Sequence, residues 1–341
     1  MSLGTLDAIL VGCGALLASL FLCAVAVRVM RTAGAIDVPN ARSSHAVPTV
    51  RGVGIGLAIA CLLTFLAGGF IWTMPARPWW SLVLGGSTFT AIGLADDVRG
   101  GLSAPLRLLL QAAVASAVAA GLLNDGSALA WPVALLGGTL LISAFVNAFN
   151  FMDGINGISG LTAAIAGATY AVLGSLSGDD LLLLGGTALT GAALGFLPFN
   201  FPVARAFLGD AGSYFTGLWL AALALLAMHT GTTVLVAVMP LALYLADTGW
   251  TILCRMRRRE DLMAAHRSHV YQRLSRRFST HTPVAVGIGG ITSVICLLAV
   301  ATAADWMSAA ITAPLVVALL ALYLASPRLL PTPPRLRPST S

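Results

Sequence analysis

Long apolar runs alternate with short polar interruptions along almost the whole chain. Runs of spanning length, about 17 to 25 residues, are read at 5–29, 52–73, 78–95, 105–123, 131–149, 157–174, 180–197, 212–228, 232–252, 283–303 and 307–326. The pattern predicts an all-α polytopic membrane protein with about 11 transmembrane helices. It forms one transmembrane domain over 1–326, followed by a basic, Pro-rich tail over 327–341 that suits a disordered end lying near anionic lipid. The first run lacks a basic stretch ahead of it and is too long for the core of a signal peptide, so it is read as an uncleaved helix.

Composition agrees with the pattern. Hydrophobic residues make up 58% and charged residues 9%, and the mean hydropathy of +0.90 is far above that of a soluble domain. A bilayer is therefore the expected surrounding, and no nucleic-acid partner is expected. The five cysteines are scattered, four of them inside apolar runs and none in a C-x-x-C pair, which suggests packing rather than zinc or a disulfide.

Charge supplies the orientation. All 19 basic side chains are arginine. With the N-terminus outside, every arginine except Arg77 falls on or beside an inner loop, an asymmetry that follows the positive-inside rule. This threading makes the protein a multi-pass membrane chain with its N-terminus outside and its C-terminus cytoplasmic.

The unusual polar segments were not used to build the threading, yet all fall on the cytoplasmic side. They are "DVPNARSSHAVPTVRGVG" (Asp37 to Gly54), "ADDVRGGLSAPLRLLLQ" (Ala95 to Gln111), "NAFNFMDGINGISG" (Asn147 to Gly160), "FLGDAGS" (Phe207 to Ser213) and "AHRSHVYQRL" (Ala265 to Leu274). The outer loops are short, and Asp125, Asp179, Asp180, Asp305 and His229 read there as solvated turn residues.

Each inner motif also has a plain structural reading. Asp153, with Asn150, Asn156 and Gly157, suits a turn and a helix cap. Asp96 and Asp97 suit a cap on the fourth helix, and Asp210 a cap on the eighth. Asp247, inside the ninth apolar run, suits an ion pair with the Arg255 to Arg259 cluster, although an intramembrane carboxylate is also a functional candidate.

Taken together, the motifs separate the functional alternatives. A transporter calls for midplane polar residues and internal repeats, and a channel calls for repeated pore-lining rings. Here the acids crowd one interface beside amides, glycines, histidines and arginines. Those are the parts of a magnesium and phosphate site, because Mg²⁺ takes one or two carboxylates and bridges substrate phosphates while arginine holds phosphate oxygens. Its position at the lipid boundary implies a lipid phosphate as one partner.

The ordered motifs "DDVRGGLSAPLRLLLQ", "NAFNFMDGINGISG", "FLGDAGS" and "HRSHVYQRL" resemble the bacterial polyprenyl-phosphate N-acetylhexosamine-1-phosphate transferases. That family includes initiating enzymes of O-antigen, enterobacterial common antigen and teichoic acid synthesis, and more distantly the phospho-N-acetylmuramoyl-pentapeptide transferases. The resemblance implies that residues 1–326 form one catalytic unit with its active site on the cytoplasmic loops. It places Asp96 and Asp97 near the lipid phosphate and metal, Asn150 and Asp153 near the nucleotide, and Asp210 on magnesium. His269 matches the first histidine of the family's H-x-H-H segment, which lies against the donor. The catalytic set is thus Asp96, Asp97, Asp153 and Asp210, with Asp210 and Asp153 as metal ligands. Asn150, Asn156, His45, Arg51, Arg107, His266, His269 and Tyr271 are assigned to substrate binding.

The sequence departs from the family pattern in two places. Asn156 stands where several members have aspartate, and Tyr271 with Gln272 replace the last two histidines of the H-x-H-H segment. The "HRSHVYQ" form is most similar to a sub-branch that initiates O-antigens, often on N-acetylated 6-deoxy sugars, and Tyr271 with Gln272 would suit the less polar edge of such a sugar.

The implied reaction transfers N-acetylhexosamine 1-phosphate from a UDP-sugar to undecaprenyl phosphate and leaves UMP, with Mg²⁺ as cofactor and Mn²⁺ as an acceptable substitute. Direct attack by the lipid phosphate is expected, with Asp96 positioning it or finishing its deprotonation. A carrier or flippase that binds polyprenyl phosphates without chemistry is the alternative, and the sequence leaves a homodimer open.

Overall fold

The computed structural model describes residues 3–39, 47–99, 102–123, 130–262, 264, 266–278 and 280–329. The described residues are mostly helical. Its elements are α1 (Thr5–Thr32), α2 (Gly54–Ile71), α3 (Ala76–Arg99), α4 (Ala104–Leu122), α5 (Ala130–Met152), α6 (Ile158–Ser177), α7 (Asp180–Asn200), α8 (Gly209–His229), α9 (Val234–Val238), α10 (Ala242–Arg257), α11 (Val270–Ser275), α12 (Thr282–Ala303) and α13 (Ala309–Leu329). A 3-10 turn (Met239–Leu241) joins α9 to α10, and two short strands, β1 (Ile36–Asp37) and β2 (Thr49–Val50), pair antiparallel between α1 and α2.

Among the described residues, 10 segments are long and apolar enough to cross a membrane, α9 through α10 counting as one. The remaining long helix, α3, has 24 residues. Its glycines, hydroxyls and Asp96–Asp97 pair dilute its apolarity, but it packs against α2, α4 and α8 within the bundle. With α3 the helices match the eleven read from hydropathy. This is an all-α polytopic membrane protein.

Three boundaries differ from the sequence reading, and two of them bear on the site. First, α3 continues to Arg99, so Asp96 and Asp97 lie in its last turn and do not cap α4. Second, the ninth span is broken at Pro240, whose ring and missing N–H interrupt a helix, and it then runs on as α10 to Arg257. Third, α13 extends to Leu329, past the expected start of the tail, and residues 330–341 lie outside the described residues.

At the centre is α8, which is apolar on every side, as expected of a helix with no exposed face. It is enclosed by α2, α3, α4, α5, α6 and α7. Trp219 is fully buried there, donating its indole N–H to the Gly185 carbonyl at 3.1 Å and meeting Phe65 edge-on. Lipid gives no hydrophobic drive between helices, so close packing of this kind supplies the attraction. The peripheral helices α1 and α13 instead expose Leu6, Leu10, Phe21, Val317 and Leu322, which a bilayer satisfies and water does not.

The loops at one end of the bundle are laced together by backbone. Phe207 N–H donates to the Val50 carbonyl at 2.8 Å, Val53 N–H to Phe207 at 3.1 Å, and Gly54 N–H to Leu208 at 2.9 Å. This seam brings Arg51, just after β2, to the start of α8.

Candidate active site

The N-terminus of α8 is held by a carboxylate from another helix. Asp97, whose side chain is 0% exposed, accepts the Asp210 and Ala211 N–H groups, one on each oxygen, both at 3.0 Å. An N-terminal turn leaves such donors without intrahelical partners, so α3 caps α8 from outside. The backbones come this close because Gly209 starts α8 at φ +73, and a methyl group there would lie 2.7 Å from the Asp97 carboxylate. Asp210 therefore does not cap its own helix and has no side-chain cap bond.

The Asp210 side chain turns into the site. Its Oδ2 meets Arg51 Nη2 at 2.6 Å, and its Oδ1 accepts Asn150 Nδ2 at 2.8 Å. Arg51 Nε also pairs with Asp97 at 2.9 Å, so one guanidinium bridges two carboxylates. Burial works against its charge, but Asp210, Asp97, Asp37 and Asp153 outweigh it and push its pKa above the ordinary arginine value. Asn150, at the end of α5, also donates to Ser213 at 2.9 Å and ties α5 to the first turn of α8.

After α5 the chain makes the tight D-G-I-N-G turn. Gly157, at φ +81, starts α6 and donates its N–H to Asn200 Oδ1 at 2.7 Å. Gly154 leaves room for Tyr271, whose hydroxyl would collide with any side chain there. Asp153 sits in this turn, and burial, reinforced by the Asp210 carboxylate, pushes its pKa up to about 7.

These groups border a cavity of about 660 Å³. Asp37, Asp153 and Asp210 give it an acidic side, Arg267 and Arg276 supply basic groups, and Arg51 also lines it. Asn150, Asn156, Asn200, Gln272 and His281 add neutral polar groups. Asn156 donates its side-chain amide to the Pro202 carbonyl and its backbone N–H to His281 Nδ1, both at 3.4 Å. Arg267 Nη2 is buried without a hydrogen-bond partner.

Other expected site residues lie off this cavity. Asp96 is buried, accepting Tyr214 Oη at 2.8 Å and Leu102 N–H at 2.5 Å, with Arg107 at 3.9 Å. His269 is buried against Asp247 at 3.0 Å and stacks on His266. His266 accepts from or donates to Ser268 at 2.9 Å, and burial, His269 and Arg255 lower its pKa to about 4. Tyr271 is fully buried and donates its hydroxyl to the Phe151 carbonyl at 2.8 Å, so it supports the D-G turn from behind. His45 lies outside the described residues.

Asn200, Arg267, Arg276 and His281 are not picked out as site residues by the sequence, whereas Gln272, read there beside Tyr271 at the sugar edge, lines the cavity. Arg267 and Arg276 stood out only as two of many inner arginines, and Asn200 and His281 belong to no quoted motif. Asp247 does not pair with the arginine cluster. Arg255 binds Glu260 at 3.1 Å and the Asp261 and Ala264 carbonyls instead.

Among the described residues, no three His, Cys, Asp or Glu side chains close into a metal cage. An open pair of carboxylates, Asp153 and Asp210, bordering a cavity is what Mg²⁺ suits, since it keeps waters and takes phosphate oxygens from a substrate.

An all-α membrane bundle with acids and arginines gathered at one end defines the class, and known proteins share parts of this sequence. The family model described as glycosyl transferase family 4 matches residues 79–228. A Bacillus subtilis (strain 168) protein named "Probable undecaprenyl-phosphate N-acetylglucosaminyl 1-phosphate transferase" is 28% identical over 308 residues, covering 86% of this chain and 85% of the relative. A decaprenyl-phosphate N-acetylglucosaminephosphotransferase of Mycolicibacterium smegmatis is 34% identical over 224 residues, 55% of this chain and 52% of the relative. A phospho-N-acetylmuramoyl-pentapeptide-transferase of Phenylobacterium zucineum is 28% identical over 227 residues, 53% and 60%. Over residues 79–228 the chain is similar to glycosyl transferase family 4.

Proposed function

We propose that the protein transfers N-acetylhexosamine 1-phosphate from a UDP-sugar to undecaprenyl phosphate, releasing UMP. The observation that carries this reading is the cavity at one end of a membrane bundle, with three carboxylates and three arginines on its walls. The names of the relatives support a polyprenyl phosphate acceptor and an N-acetylhexosamine phosphate donor.

In this reading an oxygen of the lipid phosphate forms a bond to the donor's β-phosphorus. The bond from that phosphorus to the bridging oxygen breaks, and UMP leaves with that oxygen. A phosphate monoester has a second pKa near 6, so the acceptor is mostly dianionic at neutral pH and has little need of a base. The task is to bring two anions together, which makes catalysis chiefly alignment and charge neutralisation. Arg51, Arg267 and Arg276 supply positive charge, and Asn150 orients Asp210. Asp97 and Asp96 act by position: Asp97 fixes the start of α8, while Asp96 is tied to Tyr214 and the Leu102 backbone. Asp210 and Asp153 would hold Mg²⁺, which when bound would supply positive charge to the phosphates.

Tyr271 turns its hydroxyl to Phe151 and so gives no reason to expect a 6-deoxy sugar, whereas Gln272 stays on the cavity wall. The cavity end faces the cytoplasm in this proposal, so a cysteine introduced at 268 should be labelled from that side only and one at 179 from outside. Purified protein in nanodiscs with undecaprenyl phosphate, UDP-N-acetylglucosamine and Mg²⁺ should release UMP and form the lipid-linked sugar. Lipid phosphate binding without UMP release would favour the carrier reading.

A further inference from the structure

We propose that Asp247 is a positioning residue for the donor, acting through a clamp that includes Tyr323 of the last helix. This rests on the transferase reading. Asp247 lies in α10 with no exposed surface, beyond the stretch matched by the family model. It accepts hydrogen bonds from five groups. Oδ1 takes His269 Nδ1 at 3.0 Å, Val270 N–H at 3.0 Å and Thr251 Oγ1 at 3.3 Å. Oδ2 takes Tyr271 N–H at 3.2 Å and Tyr323 Oη at 2.6 Å.

A buried carboxylate without such partners is costly. Here the partners share one purpose, since three of the five belong to the segment that starts α11. This six-residue helix is too short to hold itself. Its first turn is fixed by Asp247 from α10 and, through Tyr323, by α13, while Arg277 donates to the Pro327 carbonyl at the end of α13. The held segment delivers groups to the cavity: Arg267 lies just before α11, Gln272 and Ser275 lie on it, and Arg276 follows it. Arg276 also donates to the Arg267 carbonyl, so the two cations share one frame. Arg267, with its unpartnered Nη2, is the group such a frame would aim at an anion.

His269 belongs to the clamp. It is buried, lies off the cavity and points Nδ1 at Asp247. An asparagine amide nitrogen reaches the place of Nδ1, so His269→Asn preserves the bond and His269→Ala removes it.

The test uses the full chain in nanodiscs and follows UMP release. Tyr323→Phe should raise the donor KM about fivefold, and Asp247→Asn at least thirtyfold, with kcat, acceptor KM and Tm close to wild type for Tyr323→Phe. His269→Asn should keep most of the wild-type donor KM while His269→Ala loses it. Equal rises in donor and acceptor KM, or failure of His269→Asn to rescue, would overturn the clamp. If the wild type releases no UMP, the transferase reading fails, and trypsin cleavage after Arg267 and Arg273 decides the clamp alone. Cleavage at least tenfold faster in Tyr323→Phe supports it, and an unchanged rate refutes it.

Discussion

Two buried aspartates in this molecule do the same structural work in opposite surroundings. Asp97 reaches from α3 to the first N–H groups of α8, and Asp247 reaches from α10 to the first N–H groups of α11. Asp97 shares Arg51 with Asp210, and Arg51 in turn lines the cavity. The partners of Asp247 beyond the backbone are His269, Thr251 and Tyr323, all drawn from the interior. The comparison teaches that a remote cap can either join a charged site or support it from behind, and that its other partners decide which.

The largest expected effect comes from the carboxylate that hangs from the first cap. Asp210→Asn should lower UMP release below about 1% of wild type, because an amide keeps the shape but loses the charge that pairs with Arg51 and that, in the proposed reaction, would hold Mg²⁺. Its Tm should stay within a few degrees, since Asp97 still caps α8. A large loss of Tm would return Asp210 to a structural role.

A smaller loss of activity, joined to a loss of stability, is expected for the cap itself. An amide at 97 has one accepting oxygen for two backbone donors and sets an NH₂ against one of them. Asp97→Asn should therefore cost about 1 to 2 kcal/mol of stability, along with a tenfold to hundredfold fall in kcat. Thermal unfolding in nanodiscs measured beside UMP release checks both. Normal stability with lost activity would make Asp97 a direct participant and end the symmetry with Asp247.

The smallest effect concerns His266, beside the second cap. Its folded pKa of about 4 lies below the ordinary value of 6.5, so the unfolded chain binds more protons between those values. Its contribution to stability is then complete above pH 6.5 and falls as the pH drops towards 4. His266→Gln should flatten the decline of Tm between pH 6.5 and 5 by a small amount, and an unchanged slope would remove His266 from that account.

Hydropathy made the helices legible, because each span had to be apolar for its own sake. The motif acids were legible as well, since charge in an oily chain has few innocent explanations. Partnerships were harder to read. That Asp97 caps α8 depends on a contact 113 residues away in sequence, and nothing near Asp97 announces it. Tyr271 reads as a donor contact because it stands where the H-x-H-H segment has histidine, yet helical geometry turns it inward onto Phe151 while Gln272, one residue on, lines the cavity. Arg267 and Arg276 were hidden among equivalent arginines, and only folding singles out the two that reach the cavity.

The start of a helix usually attracts anions, which makes the first turn of α8 an obvious target for a phosphate mimic. Asp97 already occupies those amides with negative charge. A phosphate mimic directed there would meet repulsion, whereas one directed at Arg267 and Arg276 would meet cations on the cavity wall. The remote cap thus decides which side of the pocket a competitive ligand should be built against.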